Sequence, residues 1–123
     1  MAIDVVDLRS FYAAPLGHVA RRFVGEAVLR LWPDMPRLSL VGIGFALPYL
    51  ALFREQAERA LAFMPATQGV VNWPTGGLSA STLVEPTMLP LPDSSVDRIL
   101  IVHGLEVSQH PDELLAEAWR VLA

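Results

Sequence analysis

Apolar residues recur at helical spacing between positions 15 and 31. Leu16, Val19, Ala20, Phe23, Val24, Ala27, Val28 and Leu31 line one face, and Arg21, Arg22, Glu26 and Arg30 fall mainly on the others. The pattern predicts an amphipathic helix with that stripe turned to the core, closed off by Pro33 and Pro36. Residues 4–12 predict a shorter helical lead-in with an acidic start. The period then changes. Residues 38–43 are a buried-strand run, and Pro48 suits the first turn of a helix predicted from 45 to about Glu55. Further strands are predicted at 60–64, ended by Pro65, at 83–85, stopped by Pro86, and at 98–102, which is β-branched. Residues 66–82 read as a loop, with room for a short helix or strand at 70–73. A last helix begins at Pro111 or Asp112, with Leu114, Leu115, Ala118, Val121 and Leu122 as its apolar face.

Strands alternating with helices predict an α/β fold, a parallel sheet with right-handed crossovers. Ligands bind such sheets beyond the carboxyl ends of the strands, which points to 42–46, 64–66, 85–89 and 102–106. The 123 residues suffice for one small domain. The hydrophobic share of 53% fits strands buried on both faces. A net charge of −4 with no basic block argues against a nucleic-acid partner. The absence of cysteine excludes disulfides and thiolate metal sites. Asp4 and Asp7 stand where a secretion signal would be basic, so the cytoplasm is expected. The uncharged stretch between Arg37 and Arg54 falls short of the roughly 18–20 apolar residues of a spanning helix, and Gly42, Gly44 and Pro48 break it.

The segment Val41-Gly42-Ile43-Gly44-Phe45-Ala46 joins a strand to a helix. Its glycines allow a tight turn and close approach of a ligand, and the helix N-terminus beyond offers N–H groups and a positive dipole end. A nucleotide site and an ordinary strand–helix turn both account for it. The stretch from Glu85 to Asp97, with Leu89-Pro90 inside it, carries more. With the strand 98–102, His103-Gly104-Leu105-Glu106, and a helix ending Trp119-Arg120-Val121-Leu122, it resembles the class I S-adenosylmethionine-dependent methyltransferases of the type 11 kind. The resemblance covers about residues 38–123, with 1–37 as covering helices, and implies a partial Rossmann-like sheet. In that family a Pro-Gly-Gly turn and a fifth strand follow the Arg-Val-Leu helix, so an N-terminal part of the domain is expected here.

The resemblance also implies a site for S-adenosylmethionine and its product S-adenosylhomocysteine. Gly42, Ile43, Gly44 and Phe45 would lie against the methionine part, and Met64 at the ribose. Glu85 would meet the adenine amino group, flanked by Met88 and Leu89. Val102 and His103 would face cofactor and acceptor. Three departures count against activity. Leu40 stands where the family carries an acid, Ala46 at the third glycine position, and Met64 where a carboxylate would clasp the ribose with two charge-assisted bonds.

His103, Glu106 and His110 have a one-face helical spacing, but a strand end and Pro111 interrupt it, so no metal site is expected. His18 reads as a surface or boundary residue, and Trp32, Trp73 and Trp119 as packing residues. His103 and Glu106 could act as acid or base, but Glu106 reads better as a polar loop residue, and neither is assigned as catalytic. The expectation is a methyltransferase acting on an unidentified acceptor; the alternative is a methyltransferase-like domain that binds a ligand or protein without catalysis. Little turnover is expected of the 123 residues by themselves. The fourth strand would be an apolar edge, which predicts a homo-oligomer covering 99–102 and the last helix.

Overall fold

The computed structural model describes residues 4–65, 81–106 and 108–123. The loop expected at 66–82, with its short element at 70–73, thus lies almost wholly outside the described residues. In chain order the elements are α1 (Val5–Ala13), α2 (Pro15–Leu31), β1 (Ser39–Gly44), α3 (Leu47–Leu50), β2 (Arg59–Pro65), β3 (Ser81–Val84), β4 (Arg98–Val102) and α4 (Pro111–Val121). The strands form one parallel sheet in the order β3-β2-β1-β4, so the α/β expectation holds. Among the described residues no helix is long and apolar enough to cross a membrane.

Side chains alternate across β1 and divide the core in two. Leu40 points into the cluster under α1–α3, with Val28, Met35, Phe45, Leu50, Phe53 and Met64. Val41 and Ile43 point the other way, to Phe63, Val84, Leu89, Val96 and Val121 of α4.

Three helices depart from the pattern. Most of the apolar stripe of α2 does not face the core: Leu16, Phe23 and Leu31 are 69%, 66% and 79% exposed. Of the stripe, Val28 is buried as expected, and Gly17 and Gly25 are buried beside it. Space explains this. A Cβ on Gly17 would run into the backbone of Phe11 and Tyr12, so only glycine lets α1 cross there. Gly25 in turn brings α2 against Leu52. Close backbone approach, rather than hydrophobicity, selects the docking face. α3 has four residues where a helix to about Glu55 is expected. Beyond it Leu52, Phe53 and Gln56 donate to carbonyls three residues back, a tighter winding than the α-helix. In α4, Leu114, Ala118 and Val121 are buried as expected, whereas Leu115 is exposed.

Polar side chains fix the amino ends of the strands. The Asp97 carboxylate accepts the Ser39 N–H at 2.8 Å, and the Asp97 N–H donates to the Ser39 carbonyl at 3.1 Å, joining β4 to β1. Arg98 donates to the Asp34 carbonyl at 2.7 Å and lies 5.4 Å over the Trp32 ring, joining β4 to the end of α2. Arg120 gathers the Pro-rich loop 85–97, with Pro86, Pro90 and Pro92: it donates to both Glu117 oxygens and to Asp93 at 2.7 Å, and to the Leu89 carbonyl at 3.1 Å. Glu117 also accepts the Leu89 N–H. The hydrogen bonds from Arg120, chiefly, hold the Glu117 carboxyl below its usual range, against the opposing effect of burial.

Candidate functional site at the carboxyl ends of the strands

β1 ends on Gly44 with φ +93°, the left-handed region that glycine enters without strain. A Cβ there would strike the Val102 carbonyl oxygen, so β1 and β4 meet at this point in backbone contact. The Phe45 N–H donates to that same carbonyl at 2.7 Å. Gly42 has another task. A Cβ on it would lie 2.7 Å from the Ala46 Cβ and 2.8 Å from Leu50, so it lets α3 settle on the sheet. One glycine thus serves the turn and the other the packing. The expected helix-terminus site loses its basis, since α3 is a single turn and the Phe45 amide is already engaged.

Over this turn lies an aromatic cluster. The Tyr12 ring, at the end of α1, stacks on Phe45 with centroids 5.8 Å apart. Its hydroxyl is 2.9 Å from the Tyr49 hydroxyl and 2.8 Å from His103 Nε2. His103 takes φ +55° just past β4, uncommon for a residue with a side chain and a mark of backbone strain at functional positions. Its Nδ1 lies 3.7 Å from a Glu106 carboxylate oxygen. Burial above all, with the Tyr49 hydroxyl, pushes the Tyr12 phenol well above the ordinary tyrosine range. Tyr12 and Tyr49 are absent from the sequence expectations. The available signal was an aromatic pair, Phe11-Tyr12, at the corner between two helices.

The other expected site residues are placed as follows. Ile43 is a core side chain on the α4 face. Met64 is fully buried among apolar residues at the end of β2, and Leu40 is buried in the same cluster. Val102 is half-buried at the end of β4, beside the glycine turn. Glu85 follows β3 in a turn closed by the Met88 N–H donating to its carbonyl at 2.9 Å. Its carboxylate is exposed and accepts from the Thr87 hydroxyl at 3.1 Å through Oε1. Met88 and Leu89, expected as a flanking pair, part company. Met88 is exposed; Leu89 is buried on the α4 face, its N–H and carbonyl taken by Glu117 and Arg120. Gly42, Ile43, Gly44, Phe45, Val102 and His103 are thus brought to one end of the β1–β4 pair.

S-adenosylmethionine fits this surface in part. An exposed carboxylate after β3 suits the adenine amino group, and an apolar floor suits the methylene groups of the methionine chain. A carboxylate for the ribose is missing at Met64, whose burial leaves no room for a charged substitute there.

Comparisons with known proteins follow the same line. The family described as "Methyltransferase domain" matches residues 27–123. No curated protein matches the chain. Among solved structures, a SAM-dependent methyltransferase from Aquifex aeolicus is 22% identical with a TM-score of 0.59, over 80% of this chain and 57% of that one. A methyltransferase from an antibiotic biosynthesis pathway of Anabaena variabilis is 20% identical with a TM-score of 0.58, over 81% and 41%. A chain from a Haloferax volcanii complex between the Trm112 methyltransferase activator and a methyltransferase gives 20% and 0.58, over 79% and 46%. The chain therefore spans about half the length of these structures, which speak for the fold alone. With the family match over most of its length and a parallel sheet in the same arrangement, this chain belongs to the methyltransferase-domain family, whose members generally use S-adenosylmethionine.

Proposed function

We propose that the chain binds S-adenosylmethionine across the carboxyl ends of its strands and serves methyl transfer to an acceptor not yet identified. The observation that carries this reading is the cluster over the glycine turn. A positive-φ His103, the Tyr12 hydroxyl bonded to it and the Gly44–Phe45 turn converge where α/β sheets take their ligands. Glu85 would accept the adenine amino group and Met88 cover the ring, while Leu89 holds the loop from within. Gly42, Ile43, Gly44, Phe45 and Met64 would shape the apolar wall beside the methionine and ribose. Val102 and His103 would face the reacting methyl. The bound cofactor supplies the electrophilic methyl; these residues would contribute proximity and orientation. On this reading the chain works in the cytoplasm, as a homo-oligomer joined at the β4 edge.

Titration calorimetry with S-adenosylhomocysteine, on the chain and its Glu85→Ala variant, tests the site. Micromolar binding weakened by the substitution is expected; equal binding by both would remove Glu85 from the site. The second reading, a domain that holds a ligand or protein without catalysis, is favoured by Leu40 and Met64, both buried in apolar surroundings where the family carries acids. Absence of binding would favour it.

A further inference from the structure

Resting on the adenine role of Glu85 proposed above, we infer that Glu117 and Arg120 of α4 are positioning residues for that role. They fix the turn that carries Glu85 through the backbone of Leu89, and so set the preference for an adenine base.

The turn is short and has two ends. Glu85 directly follows Val84, whose place is set by its pairing with Pro65 of β2. Three residues on, the Met88 N–H donates to the Glu85 carbonyl at 2.9 Å. Inside the turn the Thr87 hydroxyl donates to Glu85 Oε1 at 3.1 Å and aims the exposed carboxylate. That aim is kept only if both ends are held. β3 holds the first. The second is Leu89, which lies in no helix or strand.

Both backbone groups of Leu89 go to α4. Its N–H donates to Glu117 Oε2, and its carbonyl accepts from Arg120 Nη2 at 3.1 Å. The same guanidinium donates to both Glu117 oxygens at 2.7 Å, so one rigid fork sets both bonds. Glu117 and Arg120 stand three residues apart on the helix, the spacing that brings two side chains to one face. The Glu117 side chain is only 13% exposed, so water dilutes these bonds little. Pro90 restricts the Leu89 backbone further. Among the described residues, the polar ties that join 86–93 to another element all run to Glu117 and Arg120.

Glu85 needs no contact with α4 for this. Without the fork, the Met88–Leu89 end is held by the Leu89 side chain alone, and the carboxylate loses its direction. A hydrogen bond to a base edge weakens steeply with angle, so the adenine contact suffers first. On the reading above the methionine part lies elsewhere, at Gly44 and Phe45, and keeps its contacts. The effect of the pair is therefore on base preference more than on binding as such.

Calorimetric titration with S-adenosylhomocysteine and with S-inosylhomocysteine, which carries a carbonyl in place of the amino group, measures that preference. The unaltered chain should favour the adenine ligand at least about tenfold, and Glu85→Ala should bring the ratio close to one. Glu117→Ala should lower the ratio likewise although Glu85 is intact. Glu117→Gln, whose amide oxygen can still accept from Leu89, should restore most of it. In the double variant the Glu117 change should have no further effect on the ratio. Arg120→Lys reads the same property should Glu117→Ala fail to fold. One ammonium cannot reach Glu117, Asp93 and the Leu89 carbonyl together, and the ratio should fall at least about threefold. A ratio in Glu117→Ala or Arg120→Lys equal to that of the unaltered chain overturns the inference and leaves the role of Glu85 standing, even where both ligands bind more weakly. A ratio that Glu85→Ala does not change overturns the adenine role and the inference with it. Absence of binding by the unaltered chain overturns both along with the cofactor reading.

Discussion

The two ends of the sheet use polar side chains in opposite ways. Around the loop 85–97 and α4, Arg120, Glu117, Asp93 and the Leu89 backbone satisfy one another, while Asp97 bonds the Ser39 backbone at the start of β1. They hold loops and strand starts, and none of them sits with the glycine turn. Over that turn, Tyr12, Tyr49 and His103 meet on a strained backbone instead. The first group lies in the segment that carries the resemblance to the methyltransferase-domain family; the second gathers at the carboxyl ends of β1 and β4. A motif can therefore identify a family through its scaffold and leave the activity undecided.

The comparison can be broken most severely at the glycine turn. Gly44→Ala adds left-handed strain to a collision with the Val102 carbonyl, and should cost about 3 kcal/mol or more in urea unfolding. A loss near zero would mean that β1 and β4 do not depend on that contact. On the scaffold side, Glu117→Ala strands the buried Leu89 N–H and should cost about 1–3 kcal/mol. The same group sets an acid limb. Its carboxyl is depressed in the folded state, so its stabilisation is present above the usual value near 4.5 and fades as pH falls through the lower folded value. Glu117→Gln should flatten that limb in unfolding curves taken at successive pH values.

Tyr12→Phe removes both hydroxyl contacts and should cost about 0.5–1.5 kcal/mol. Here the limb is alkaline. A phenol raised in the folded state stabilises fully below its ordinary value near 10, and the stabilisation is lost as pH rises above it. Tyr12→Phe should therefore blunt the fall in stability at high pH, and an unchanged profile would place Tyr12 outside the cluster. The smallest effect belongs to Asp93→Asn. Its 2.7 Å pair with Arg120 joins a side chain 78% exposed, so no measurable shift of the urea midpoint is expected. A clear shift would mean that Asp93, rather than Glu117, governs the loop.

The sheet was legible because its strands leave continuous apolar runs, buried in 39–44 and half-buried in 99–102. The Pro-rich loop and last helix were legible as a pattern, though not as a clamp, since no local rule joins Leu89 to Glu117. The docking face of α2 was misread from its apolar stripe, because two glycines set the contact and glycine carries no hydrophobic signal. Tyr12 meeting His103 could not be read either: the two stand 91 positions apart and only the folded chain brings them together.

The Asp97–Ser39 bond joins positions 58 apart, whereas β1 meets β2 in a register that begins with Ser39 opposite Arg59. In kinetic terms β1 has a near partner and a distant one. Closing the longer loop costs about 1 kcal/mol more in chain entropy than the shorter. β1 and β2 should therefore pair early, with β4 joining late and leaving first. Hydrogen exchange would record that order as slower exchange in β2 than in β4, and the reverse ranking would refute it. A strand that joins last waits longest with its apolar edge uncovered, so yield on refolding should fall as protein concentration rises.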